Sequence, residues 1–243
     1  MAESRPRDEG APEDVRAKTL ALLGVHPRHV RLLTAVHEAG HAVVADSVGA
    51  HVDSVTVLSD GHLTDPRGGN DHAQVEFPGA ASADEVFAEY LTVLTAGFQS
   101  QYMWLTRSRG VTYTDQVQTG LSWLAAGDIH PANALRERCG RQDVEFVHAQ
   151  AIAGMILRTR WSTLLRLAYH LNRTGYASQK DLQGYLMVNP QVRTKCLAYF
   201  RAWKDQVEDG TFREHPVYAK ATAARAVRDA GGPHDPDTKE ALL

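Results

Sequence analysis

The sequence predicts a mainly α-helical fold with one small β-hairpin or sheet set beside a central helix. Three observations predict it. Apolar residues recur at helical spacing through most of the chain, and short β-branched runs are confined to residues 51–59 and 72–77. Strands and helices also never alternate in the βαβ manner that a parallel sheet requires.

Residues 1–12 are rich in charge, Pro and Gly and lack periodicity, which reads as a disordered leader. Val15, Leu20, Leu22 and Leu23 give a short amphipathic helix over 13–23, ended by Gly24 and separated from the central helix by His26-Pro27. His26 and His29 read as loop residues. The central helix is expected over about 29–48, with Gly49 placed to end it in a left-handed cap. HVDSVTVLS (51–59) reads as a strand. Asp60-Gly61 and the Pro/Gly-rich TDPRGGND then lead into a second strand over 72–77. Such an edge either closes the core or accepts an extended peptide as an added strand.

Residues 81–105 return to helical spacing, with Ser82 as N-cap, Glu85 three residues on, and Val86, Phe87, Tyr90, Leu91, Leu94 and Phe98 for the core. This long helix is expected to pack on the central one. A loop over 107–114 precedes a helix over 115–126, and Gly127-Asp128-Ile129 opens another through Arg138. Two more helices lie between 143 and 172, Ser178 caps a further one, and Pro190 starts the last. Val192, Cys196, Leu197, Phe200 and Trp203 form the apolar face of that last helix. Beyond about residue 208 the chain is polar and reads as a tail. The organisation is thus a leader with a short helix (1–28), a main domain (29–190), and a C-terminal helix with a flexible tail (191–243).

At 243 residues and 43% hydrophobic the chain can bury a real core. A net charge of −3 and a pI near 6.4 lack the basic character that nucleic-acid binding needs. No apolar run is long enough to span a membrane, and the N-terminus is too charged for a secretory signal, so a cytoplasmic protein is expected. Cys139 and Cys196 lack CxxC spacing, so neither a cysteine metal site nor a disulfide framework is indicated.

The chemistry sits in TAVHEAGHAVVA, residues 34–45. His37 and His41, four apart, share one helical face, so both imidazoles can reach one cation while Glu38 stands at its open side. Val36, Ala39, Val43 and Val44 surround them with apolar groups, so the pair should be buried and in need of a partner, which a metal supplies. Gly40 in mid-helix costs about 1 kcal/mol relative to alanine, and implies that another element approaches closely there. Zinc held by three protein ligands keeps a fourth position for water and lowers that water's pKa to about 7, and Glu38 would take the proton. These residues leave the third ligand open. Ser47 and Val44 stand where the metzincin pattern needs histidine and glycine, which excludes that pattern; Glu85 or Glu89 on the next helix would give a two-His, one-Glu site.

HEAGHAVVA, a VTV strand, a long helix containing Ala96-Gly97 and then Gly-Asp-Ile-x-x-Ala in GDIHPANAL resemble the peptidase domain of FtsH-type zinc metalloproteases. Residues 151–186 are similar to that family's closing helices. The resemblance covers roughly residues 30–187. It implies Asp128 as third zinc ligand with His37 and His41, Glu38 as general base, and hydrolysis of peptide bonds in short peptides, unfolded segments or a dedicated protein partner. The FtsH-type ATPase module has no counterpart here, since no GxxxxGK[ST] phosphate loop occurs. Gly97-Phe98-Gln99-Ser100-Gln101-Tyr102 also departs from the family's charged Gly-Arg-Ala-Ala-Glu-Glu. A homo-oligomer and an ATPase on a separate chain both stay open as partners. His62, Tyr113 and His130 are candidates for stabilising the oxyanion, and His130 is an alternative ligand. An amidase acting on a non-peptide substrate and a zinc-stabilised adaptor are the competing functions.

Overall fold

The computed structural model of the protein describes residues 12–57, 72–80, 82–112 and 114–214. Its helices are α1 (Pro12–Leu22), α2 (Val30–Val48), α3 (Phe87–Arg109), α4 (Asp115–Leu124), α5 (Ala126–Arg138), α6 (Phe146–Thr159), α7 (Trp161–Thr174), α8 (Gln179–Leu186) and α9 (Pro190–Asp209). Three short strands, β1 (His51–Thr56), β2 (His72–Glu76) and β3 (Tyr176–Ser178), form one antiparallel sheet in the order β2-β1-β3. The fold is mainly helical with a small sheet beside α2, as expected. No described helix is long and apolar enough to cross a membrane.

The other elements are arranged around α2. An amphipathic surface helix hides one stripe, whereas α2 buries 16 of its 19 residues against α3, α6, α7, α9 and the sheet. Gly49 ends it at φ 94°, donating its N–H to Ala45 O, as its position predicts. Gly40 meets the close approach inferred from its cost: a Cβ there would lie 2.5 Å from Ser100 Oγ and 2.9 Å from Ala96 O of α3. Polar residues of α3 inside this contact donate to α2 carbonyls, Ser100 Oγ to Val36 O (2.9 Å) and Gln101 Nε2 to Leu33 O (3.4 Å).

Three segments differ from the expectation. The helix expected over 81–105 begins at Phe87 and continues to Arg109, so Ser82 is not its N-cap. Residues 82–86 instead turn through short i to i+3 bonds, and Asp84 is drawn outward to Arg138 of α5 at 2.6 Å. At the other end Arg107 and Arg109 suit the negative end of the helix dipole and Gly110 closes it at φ 66°, so the helix runs into the expected loop. The second difference is β3, which three residues are too short to announce; pairing with β1 through Ser54, Val55 and Thr56 creates it.

The closing helices match the expectation. Ser178 and Asp181 form a capping box at α8, and Asn189 caps α9 with Pro190 in its first turn. Cys196, Phe200 and Trp203 of α9 enter the same core as α6 and α2. Arg160, at the junction of α6 and α7, is buried and donates to Asp46 Oδ2 (2.6 Å), Ser47 Oγ (2.7 Å) and Leu186 O (2.6 Å), which ties α2 to the end of α8. The third difference is Thr211–Glu214, expected as tail, which forms a 3-10 turn with Phe212 fully buried; residues 1–11 and those beyond 214 lie outside the described residues, as do His62 and Tyr113.

Candidate metal centre

Helical spacing places His37 and His41 one turn apart on α2, both 7% exposed, with their rings edge to face at 74°. Their Nε2 atoms converge to 3.0 Å. Asp128, in the first turn of α5, brings Oδ2 to 2.9 Å from Nε2 of His37 and 3.3 Å from Nε2 of His41. Among the described residues these three form the one group of His, Cys, Asp or Glu able to hold a metal ion. The alternatives are placed elsewhere. Glu85 is exposed, Glu89 pairs with Lys204 of α9 at 2.6 Å, and His130 is exposed on α5, outside the cluster.

The donor set fits a cation better than it fits hydrogen bonds. Ligand atoms about 2.0–2.1 Å from one tetrahedral ion are about 3.3 Å apart, close to the spacings here. Oδ2 of Asp128 is buried and makes no hydrogen bond of acceptable angle, despite its short distances. Nδ1 of His41 lies 2.7 Å from Val93 O on α3 and donates to it, which leaves the lone pair of the neutral ring on Nε2. His37 has no such partner at Nδ1. Its ring is fixed sterically instead, because a Cβ on Gly97 would stand 2.3–2.6 Å from three of its ring atoms. Thus α3 orients both histidines, one by a carbonyl and one by a missing side chain. Val93 carries no signal in the sequence; Gly97 does, by the same mid-helix glycine argument that singles out Gly40.

Three basic atoms in contact need positive charge among them. Burial pulls the His41 pKa down, but the charge of Asp128, aided by Glu38 and the Val93 carbonyl, outweighs it and pushes it up to about 9. Burial acts upward on Asp128, and the charges of His41 and His37 overcome it, holding the carboxyl well below the usual range. Without a metal, a proton on His41 therefore supplies the charge at neutral pH. A metal ion must displace it. Metal uptake at pH 7 is expected to release close to one proton, and apparent affinity to weaken as pH falls below about 9. Calorimetric titration of metal-free protein in buffers of different ionisation heat measures this; uptake without proton release would contradict the arrangement.

Glu38 is 5% exposed on the same helix, and its charge helps raise His41, which places its carboxylate in the field of the site. No protein-family model matches the chain, and no curated protein matches it. The centre is accordingly read from its own geometry: two imidazoles and one carboxylate that could hold a metal ion, with a buried carboxylate beside them.

Proposed function

We propose that the chain is a zinc-dependent metallopeptidase that hydrolyses peptide bonds, of the kind its sequence resembles in the peptidase domains of FtsH-type enzymes. The observation that carries this reading is the convergence of His37 Nε2, His41 Nε2 and Asp128 Oδ2 within 3.3 Å on a helix that also carries buried Glu38. Two imidazoles and a carboxylate suit zinc, and among the described residues a set of three leaves a position open where a structural site would close it with a fourth residue. Zinc bound there supplies Lewis acidity, polarising a carbonyl and lowering the pKa of a water to about 7.

The rest of the chemistry belongs to the chain. Glu38 accepts the proton of the attacking water and returns it to the leaving amine, a transfer worth about 10²–10⁴ in rate. Val93 O keeps His41 in the tautomer whose Nε2 lone pair faces the centre. The sheet lies against α2, and β2 is its outer strand on one side, paired with β1. An extended peptide segment adding there would lie alongside the metal helix and be held by main-chain hydrogen bonds, independent of its side chains.

Elemental analysis of the wild type and of Asp128→Ala, run beside cleavage of casein without ATP, tests the reading. Near-stoichiometric zinc in the wild type, lost in the variant, together with cleavage is the expected result. Zinc without cleavage of casein or of short peptides would overturn the peptidase and leave a metal-stabilised binding protein; absence of zinc would overturn both.

A further inference from the structure

The charged groups of this protein are unevenly placed. Arg138, Arg141, Arg160 and Lys204 each pair with a carboxylate. At the C-terminal ends of α3 and α6 basic residues gather. Arg107 and Arg109 in the last turn of α3, Arg158 in the last turn of α6 and Arg28 before α2 are exposed, and none is ion-paired with a described residue.

Arg107 lies over the ring of Trp161, three residues beyond Arg158, which makes these two neighbours. Partial desolvation of Arg158, together with the adjacent charge of Arg107, lowers its hold on its proton. Arg109 and Arg28 both act on His29 between them. Two guanidinium groups are also held in place, Arg107 5.5 Å above the ring of Trp161 and Arg109 5.9 Å above that of Trp104. Helix C-termini attract cations, which explains part of the clustering. Two helix ends contribute about half a negative charge each, against three guanidinium groups in their last turns, so positive charge stays in excess there.

We propose that this arginine surface is a docking site for acidic segments of polypeptide substrates, separate from the metal centre. The inference rests on the peptidase reading for its purpose, though not for its geometry. Guanidinium forks pair with carboxylates in two parallel hydrogen bonds, and a side chain already held over an indole face loses little freedom on doing so. The chain's overall charge of −3 works against extended polyanions, whose field spans the whole surface, whereas a short acidic segment meets only the local cluster within a Debye length of about 8 Å. Position supports a role in substrate capture. Arg107 lies ten residues beyond Gly97 on the same helix, about 15 Å along its axis, a span that four or five residues of extended chain cover.

Fluorescence anisotropy with a short labelled glutamate-rich peptide, and its glutamine-for-glutamate counterpart, tests this on the full chain. Carrying the measurement out in Glu38→Gln separates binding from cleavage. The expected result is binding of the glutamate peptide only, weakened by salt and weakened at least about tenfold in Arg107→Glu/Arg158→Glu. Circular dichroism and metal content establish that the variant is folded, and Arg109→Glu provides a second, independent single change. Equal binding by folded variants, or no binding by the unsubstituted surface, would overturn the proposal. So would preferential binding of phosphatidylserine vesicles or of a single-stranded oligonucleotide, which would assign the surface to a membrane or to nucleic acid. A protein that binds the peptide yet cleaves nothing keeps this surface and loses the peptidase reading; one that cleaves casein but ignores the peptide does the reverse.

Discussion

Gly97→Ala is expected to weaken metal binding at least about a hundredfold, although residue 97 is not a ligand. The added Cβ would stand 2.3 Å from Cε1, 2.4 Å from Nε2 and 2.6 Å from Nδ1 of His37, distances that no ring tolerates. Either the imidazole leaves its position or α3 retreats from α2. If α3 retreats, the His41 contact to Val93 O at 2.7 Å is lost as well, so both outcomes disorganise the donor set. Loss of an orienting partner around a metal typically costs about 10–100-fold in affinity, and displacing a ligand outright costs more. The check is metal content after dialysis against a competing chelator, with circular dichroism to establish the fold. Gly184→Ala is the control, because a Cβ there meets nothing within 4 Å and its helix should form unchanged. Full metal retention in folded Gly97→Ala would show that His37 is not held as described.

Glu38→Gln is expected to abolish turnover, by about a thousandfold, while zinc stays bound. Glutamine keeps the size and polarity of the side chain in its buried position on α2 but can neither take a proton from water nor carry one to an amine. The metal ligands are untouched, so the zinc stoichiometry should equal that of the wild type. The variant also removes a negative charge that raises the His41 pKa, so proton release on metal uptake should shift to lower pH. Cleavage of casein at an unchanged rate would remove Glu38 from the chemistry and favour a centre whose metal serves structure alone.

How far each feature could be read from sequence depends on the range of the interactions that make it. The 3.6-residue period places His37 and His41 together, and local steric rules put Gly49, Ser178 and Pro190 at helix ends; all of these are legible. Ser82 misleads because a capping pattern competes with tertiary contacts: Asp84 gains Arg138, and the helix starts only at Phe87. The third strand leaves no pattern, since Tyr176, Ala177 and Ser178 become a strand only by meeting β1.

The sequence by itself determined the half of the centre that lies on one helix, His37, Glu38 and His41, and the need for a close neighbour at Gly40. Helical geometry is a local property, so spacing along the chain is enough for it. Among the carboxylates the family resemblance implied Asp128, and the tertiary structure shows which one reaches the imidazoles. Glu89 is on the expected helix but is taken by Lys204, whereas α5 packs on α3 and brings Asp128 to both imidazoles. It also decided what orients the histidines, because the carbonyl of Val93 and the bare backbone of Gly97 act by where α3 passes. A contact between helices depends on how whole faces pack, and that information is spread over every residue of both.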